Sequence, residues 1–202
     1  MITYIHKPVS ISTAGVTHET DPLAIPQSQL ALECVQSPQG FIVTAFAFEE
    51  FLTYNSLHLS LHCLMQLLDK KEYSNLLSVA HTAQSLLLSG KMPPSLQRAI
   101  IDAYHELGIN EPVVVDSHNI TVNAAGSIED TGEEHANAKT VFGEINLLAE
   151  VQKRFAALYT GDAIRYRQEN NCVHDKAALS IAVQKTKRLP IPARVAETGS
   201  LN

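Results

Sequence analysis

The groups in this 202-residue chain best suited to holding a metal or an anion are nine histidines and fifteen lysines and arginines, and they are unevenly placed. His58 and His62 stand one helical turn apart, which puts two imidazoles on one face and, with Cys63 beside them, makes half of a metal clamp. No acidic third ligand follows at helical spacing. The commoner reading, polar positions on an amphipathic helix, is therefore preferred, and no metal site is expected. The C-terminal third is basic, carrying Arg165, Arg167, Lys176, Lys185, Lys187 and Arg188. Arg165 and Arg167 are its candidates for holding a small anion, although a solvated face is the usual fate of such a run. Upstream the balance reverses. No Lys or Arg occurs from Pro8 to Asp69 or from Ala99 to Ala138, and the second gap holds Asp102, Glu106, Glu111, Asp116, Glu129, Asp130, Glu133 and Glu134. A polyanion there would meet like charge, at roughly 4 kcal/mol per contact for a separation of about 4 Å and an effective dielectric of ~20.

The whole chain has a net charge of −6, so it lacks the electrostatic footprint of a nucleic-acid or anionic-membrane binder. At 45% hydrophobic residues it can bury one sizeable core. Cys34, Cys63 and Cys172 are odd in number, far apart and in no ligand spacing, which reads as three buried thiols in a reducing compartment. Met1 to Ser10 lacks the pattern of a signal peptide, and no later run reaches the roughly 18 apolar residues of a membrane span. The cytoplasm is the expected location.

These side chains need elements to hold them. Residues 1–40 read as an irregular N-terminal segment, because Gly15, Pro22, Pro26 and Pro38 interrupt any periodicity despite the apolar stretch Leu30 to Val35. Phe41-Ile42-Val43-Thr44 is a short β-favouring run that turns into a helix bearing Phe48, Phe51 and Leu52. Leu57, Leu61, Leu64 and Leu68 form one helical stripe, and Leu76, Leu77, Ala80, Ala83 and Leu87 form a second, separated by Asp69-Lys70-Lys71. Pro93-Pro94-Ser95 opens a helix whose inner face is Leu96, Ala99, Ile100, Ala103, Tyr104 and Leu107, and Gly108 stops it. Pro112-Val113-Val114-Val115 and Ala178 to Val183 read as strands covered on both faces. Between them lie a polar loop, Asn123 to Asn137, and two helices broken at Thr160-Gly161-Asp162, the first with Leu147, Leu148, Val151, Phe155 and Leu158 inward. Residues 41–188 form the expected domain, and 189–202 a flexible tail.

Several blocks, in order, carry a family signature. Gly40-Phe41-Ile42-Val43-Thr44 with Phe48-Glu49-Glu50-Phe51-Leu52 resembles a Gly-Phe-Val-Val-Thr strand and its Tyr-x-x-Phe-Leu helix. Met92-Pro93-Pro94-Ser95-Leu96 through Ala103-Tyr104 is similar to a Pro-Pro-x-Leu helix ending in Ala-Tyr. Leu158-Tyr159-Thr160, Ala163-Ile164-Arg165-Tyr166-Arg167 and Ala178-Leu179-Ser180-Ile181-Ala182-Val183-Gln184-Lys185 match a third block. Together they resemble the N-terminal part of the ATP-binding domain of phosphoenolpyruvate synthase and pyruvate phosphate dikinase. The resemblance implies an α/β (α+β) fold like the N-terminal half of an ATP-grasp domain, with helices packed on a small mixed sheet.

The resemblance also says where a triphosphate would sit, and phosphoryl transfer needs cations at that place. The family's Gly-Gly-Lys lysine falls at Leu23 or a neighbour, and the arginine of its Val-x-Val-Arg-Ser-Ser-Ala-Thr segment falls at Asp116. Ala136-Asn137-Ala138-Lys139-Thr140 keeps a faint trace of a further nucleotide segment, which makes Lys139 the one candidate replacement cation. Gln184 and Lys185 fall near the adenine-contacting strand. Thr13-Ala14-Gly15-Val16-Thr17-His18 is faintly similar to the family's phosphohistidine loop, but a solvent-facing histidine is the commoner reading. Family members continue beyond Val183-Gln184-Lys185 into a metal-binding half, a phosphohistidine domain and a pyruvate-binding barrel. The expectation is a degenerate, stand-alone module without catalytic residues or cofactor, acting through a protein partner; the charge asymmetry also suits self-association. Two alternatives stand beside it. One is the nucleotide-binding subunit of a split phosphotransferase, with ATP and Mg²⁺; the other is a small-anion or metabolite sensor.

Overall fold

A computed structural model describes residues 2–5, 40–108, 111–122, 128–130 and 138–186. In chain order the elements are β1 (Ile2–Ile5), β2 (Gly40–Val43), α1 (Ala45–Tyr54), α2 (His58–Gln66), α3 (Leu76–Ser89) and α4 (Pro94–Leu107). There follow β3 (Val113–Val122), β4 (Ile128–Asp130), β5 (Lys139–Val141), α5 (Glu144–Ala157), α6 (Gly161–Glu169), a single 3₁₀ turn (His174–Lys176) and β6 (Ala178–Lys185). No helix among the described residues is long and apolar enough to cross a membrane.

The strands form one sheet in the order β1-β2-β6-β3-β4, with β5 also paired to β3. Every one of these pairings is antiparallel, so the sheet is not mixed as the resemblance implied. β6 is the central seam. Phe41 pairs with Val183 on one side of it, and Val115 pairs with Val183 on the other. Alternation then sorts the side chains: Phe41, Val43, Val113, Val115, Leu179, Ile181 and Val183 are buried on one face, while Ile42, Val114 and Gln184 on the other are only half-buried. Val114 is thus less buried than Val113 and Val115, although Asp116 and Ala182 on its own face are buried as well.

Two expectations about irregular segments change. Ile2-Thr3-Tyr4-Ile5, inside the stretch read as irregular, is a strand that pairs with β2; its residues are β-favouring, but only the distant partner makes them an element. Ile128–Asp130, inside the expected polar loop, folds back on Ile120 to Val122 as a hairpin. The remainder of that loop, the Thr13 to His18 motif, Leu23, Leu30 to Val35, Cys34, Lys187, Arg188 and the tail from 189 lie outside the described residues.

Helices α1, α4 and α5 lie against the sheet, and α3 packs behind on α2, α5 and α6. The layers meet at Phe155, whose ring centroid is 5.2 Å from that of Phe48 and 5.3 Å from that of Phe51, both in tilted contacts. Leu76, Ala80, Ala83 and Leu87 are buried as their spacing predicts, but Leu77 is 81% exposed, since it stands about 100° around the helix from Leu76. Gly40 has a steric cause: a Cβ there would lie 2.5 Å from the Val183 carbonyl oxygen, inside the β2–β6 pairing. Gly108, past the end of α4, has φ +129°, a conformation that L side chains rarely adopt.

Replacing Phe155 with alanine should remove about 3–5 kcal/mol of stability by leaving a cavity between α5 and α1. Leu77→Ala, equally apolar in sequence but exposed, should change stability by no more than about 0.5 kcal/mol. Urea denaturation of the two variants compares them directly.

Candidate functional site

Helix ends explain where two of the four candidate cations go. The last carbonyls of an α-helix have no partner within the helix and lie at the negative end of its dipole, so they attract donors and cations. At the end of α4, Lys185 Nζ donates to the Leu107 carbonyl at 2.9 Å. Beyond α5, Arg167 Nη2 donates to the Leu158 carbonyl at 2.6 Å. For α3 the donor is neutral: Gln152 Nε2 reaches the carbonyls of Leu87 and Gly90 at 2.9 and 2.7 Å. Lys185 and Arg167, read from the sequence as nucleotide- and anion-binding candidates, therefore both face inward onto backbone.

Arg167 is the more extreme of the two. It is 2% exposed, and its guanidinium carbon lies 5.4 Å from the ring centre of Tyr159. Its Nε donates to His174 Nδ1 at 3.2 Å, which requires that imidazole to be neutral. Burial, then the charges of Arg167 and Lys70, push the His174 pKa down to about 4, against the opposing pull of Asp175. Burial likewise lowers Arg167 to about 10, still protonated at neutral pH, and raises the Tyr159 phenol. Arg167, an anion-binding candidate in the sequence, has its charge enclosed and directed at a helix terminus. Arg165, two residues earlier, is exposed and stacks 5.7 Å over Tyr73, so only this member of the pair faces solvent.

The second cluster lies where β3, β5 and α5 meet. Val115 pairs with Lys139, which places the Lys139 side chain on the helix-covered face. There its Nζ is 3.1 Å from Glu150 Oε2. Glu150 Oε1 is 3.0 Å from Arg154 Nη2, one helical turn on, and the same nitrogen donates to the Val115 carbonyl at 3.4 Å. Glu150 and Arg154 are 5% and 7% exposed, whereas the Lys139 side chain is 54% exposed. Asp116, next along β3, is 9% exposed, and its Oδ1 accepts from the Ser117 amide at 2.8 Å. Asp116 and Gln184 fall on the opposite sheet face from Lys139 and Lys185, because residue parity along paired antiparallel strands fixes the side. The trio Lys139, Gln184 and Lys185 is therefore divided between two faces.

Glu150 and Arg154 escaped the sequence reading, yet a signal was present. Both lie within the inward stripe of α5 that also holds Leu147, Val151 and Phe155, so the helical period itself placed a Glu–Arg pair at buried positions. His174 had no such signal, since its setting is made by α6 and the 3₁₀ turn folding together.

The histidines of α2 meet acids from other elements. His58 Nε2 is 3.1 Å from Glu49 Oε1 on α1, and His62 Nδ1 is 2.8 Å from Asp175 Oδ2 on the 3₁₀ turn. Among the described residues no set of three His, Cys, Asp or Glu side chains converges as metal ligands. Cys63 is exposed and Cys172 buried, so the expectation of buried thiols holds for Cys172 and fails for Cys63, which points away from the Leu57–Leu61–Leu68 stripe.

Comparison with known proteins bears on the whole fold. Residues 24–189 match the family model described as pyruvate phosphate dikinase, AMP/ATP-binding domain. A phosphoenolpyruvate synthase of Aquifex aeolicus is 30% identical over 159 residues, 76% of this chain and 18% of that protein. One from Synechocystis is 32% identical over 167 residues, covering 79% and 20%. A probable phosphoenolpyruvate synthase of Methanothermobacter thermautotrophicus is 28% identical over 153 residues, covering 73% and 22%. The chain thus spans about a fifth of the length of these relatives.

Two outcomes follow from the buried charges. Arg154→Ala leaves Glu150 with a single, exposed partner and should cost about 3 kcal/mol or more, whereas Lys139→Ala should cost less than about 1 kcal/mol; thermal unfolding distinguishes them. The pKa of His174 lies below its ordinary value of 6.5, so between pH 6.5 and 4 the unfolded chain binds the extra proton. Its contribution to stability is complete above pH 6.5 and declines as the pH falls toward 4. His174→Asn should flatten that part of the stability–pH curve relative to the parent chain.

Proposed function

Because this chain belongs to the pyruvate phosphate dikinase AMP/ATP-binding domain family, its function has to be judged by how it would meet a nucleotide, and we propose that it acts as a non-catalytic, protein-binding or regulatory relative of that domain. The observation that carries this reading is the disposition of charge. Asp116, a largely buried carboxylate, stands where the sequence resemblance puts an arginine of the family. The candidate cations are engaged elsewhere: Lys185 and Arg167 hold helix ends, and Lys139 is paired with Glu150. Polyphosphate recognition depends on several cations converging on one place. Here the candidate cations Lys139, Lys185 and Arg167 diverge, and Gln184 is on the sheet face opposite Lys139 and Lys185. A domain framework kept while its positive groups serve internal carbonyls and carboxylates is suited to presenting a surface.

A second reading has one observation in its favour. The Lys139 side chain is more than half exposed, so its ammonium can leave Glu150 at little cost and turn to an outside phosphate. Under that reading the chain supplies a nucleotide-binding subunit to a split phosphotransferase and takes ATP with Mg²⁺. The exposed Arg165 offers a sensor of small anions much less, since it stands without Arg167.

Isothermal titration separates these readings. With MgATP or AMP, no saturable heat is expected up to about 1 mM, which corresponds to less than roughly 4 kcal/mol of binding free energy. Saturable binding in the micromolar range would refute the non-catalytic reading, and its loss in Lys139→Ala would establish the second one.

A further inference from the structure

Away from the sheet, α1, α2, the Tyr159 turn and the 3₁₀ segment line a half-open cavity of about 390 Å³, within the size range of small-ligand sites. Its lining is layered. Phe48, Leu61 and Tyr159, all at most 4% exposed, contribute apolar surface, with Leu52 and Ala177 beside them. The polar lining consists of Glu49, His58, His62 and Asp175, whose side chains are about half exposed. Among the residues whose side chains are described, no Lys or Arg lines the cavity.

We infer that this cavity is a binding site for a small organic cation, an ammonium or amidinium attached to an apolar or aromatic body. The chemistry follows from the two imidazole–carboxylate pairs. His58 Nε2 lies 3.1 Å from Glu49 Oε1 and His62 Nδ1 lies 2.8 Å from Asp175 Oδ2, so two carboxylates stand at the cavity, each engaged by one imidazole through one oxygen. A carboxylate accepts through about four lone-pair sites, so one imidazole bond leaves room for a ligand N–H. The nearest buried cation, Arg167, stacks on Tyr159 from beneath the lining and directs its nitrogens to Leu158 and His174. An anion would meet like charge at the polar lining. A bare metal ion finds no three converging ligands among the described residues, while an aromatic body finds the phenyl ring of Phe48 and the side chain of Leu61. This site is separate from the sheet and its charged cluster, so it stands or falls independently of the nucleotide question.

Three isosteric probes test it: benzylamine, benzyl alcohol and benzoate, titrated into the ¹⁵N-labelled full chain and followed by NMR. Benzylamine should shift amide signals of α1 and α2 and the imidazole signals of His58 and His62 saturably, with benzyl alcohol roughly tenfold weaker and benzoate without effect. In Glu49→Gln/Asp175→Asn, benzylamine should fall to the level of benzyl alcohol. Both residues are exposed, and the two single variants, each with an intermediate loss, serve if the double variant unfolds. Equal binding of all three probes, shifts confined to other surfaces, no shift at all, or undiminished benzylamine binding in the variants would each overturn the inference.

Discussion

The last strand, β6, must lie between β2 from near the start of the domain and β3 from its middle, and nearly every other feature is placed by that condition. Its register fixes which side chains face the helices. Val183 pairs with Phe41 and with Val115, and all three are buried. A shift by one residue would exchange the two faces, turning the apolar set outward and carrying Gln184 into the core. The same register carries Lys185 to the side where α4 ends, so a strand position becomes a helix cap. Because these pairings join distant parts of the chain, the sheet forms only once most of the domain has been brought together.

Charge inside this molecule is arranged around that frame. Burying an ion is costly unless it gains a compensating charge or hydrogen bonds, and Glu150 and Arg167 obtain these in different ways. Glu150 receives Arg154 from its own helix and Lys139 from β5. Arg167 has no carboxylate partner among the described residues; it relies on the carbonyl end of α5, the face of Tyr159 and a neutral His174. The arrangement depresses His174 and keeps Arg167 protonated, so the cation and its acceptor are stable together at neutral pH. A family whose name refers to AMP and ATP is represented here by a chain in which Lys139, Lys185 and Arg167 serve its own carboxylate or backbone.

Connections between helices show the same economy of local polar groups. Asp69 accepts from the amides of Lys71 and Glu72 and from the Ser74 hydroxyl, which holds its carboxyl below the usual range and closes the turn between α2 and α3. Asn75 completes that turn by accepting from the Asp69 amide and donating to the Leu67 carbonyl. Thr160 accepts from the Ala163 amide and starts α6 directly after α5. These are short-range devices, and they lie where the sequence reading put breaks between helices.

Sequence by itself determined the helices, most of their inner stripes and the family, because helical periodicity and capping residues act within a few positions of one another. It also determined the two β-favouring runs around Phe41 and Val113, and showed that no Lys or Arg occurs along the chain from Ala99 to Ala138. Tertiary structure alone decided that Ile2–Ile5 is a strand, that the sheet is antiparallel, that Lys139 and Gln184 fall on opposite faces, and that Arg167 looks inward while Arg165 looks out. In each of these the deciding partner lies far along the chain or on another element: β2 for Ile2–Ile5, β3 for Lys139, the end of α5 for Arg167. A residue type and its spacing specify which bonds a side chain can make; only the folded chain specifies which groups come within reach.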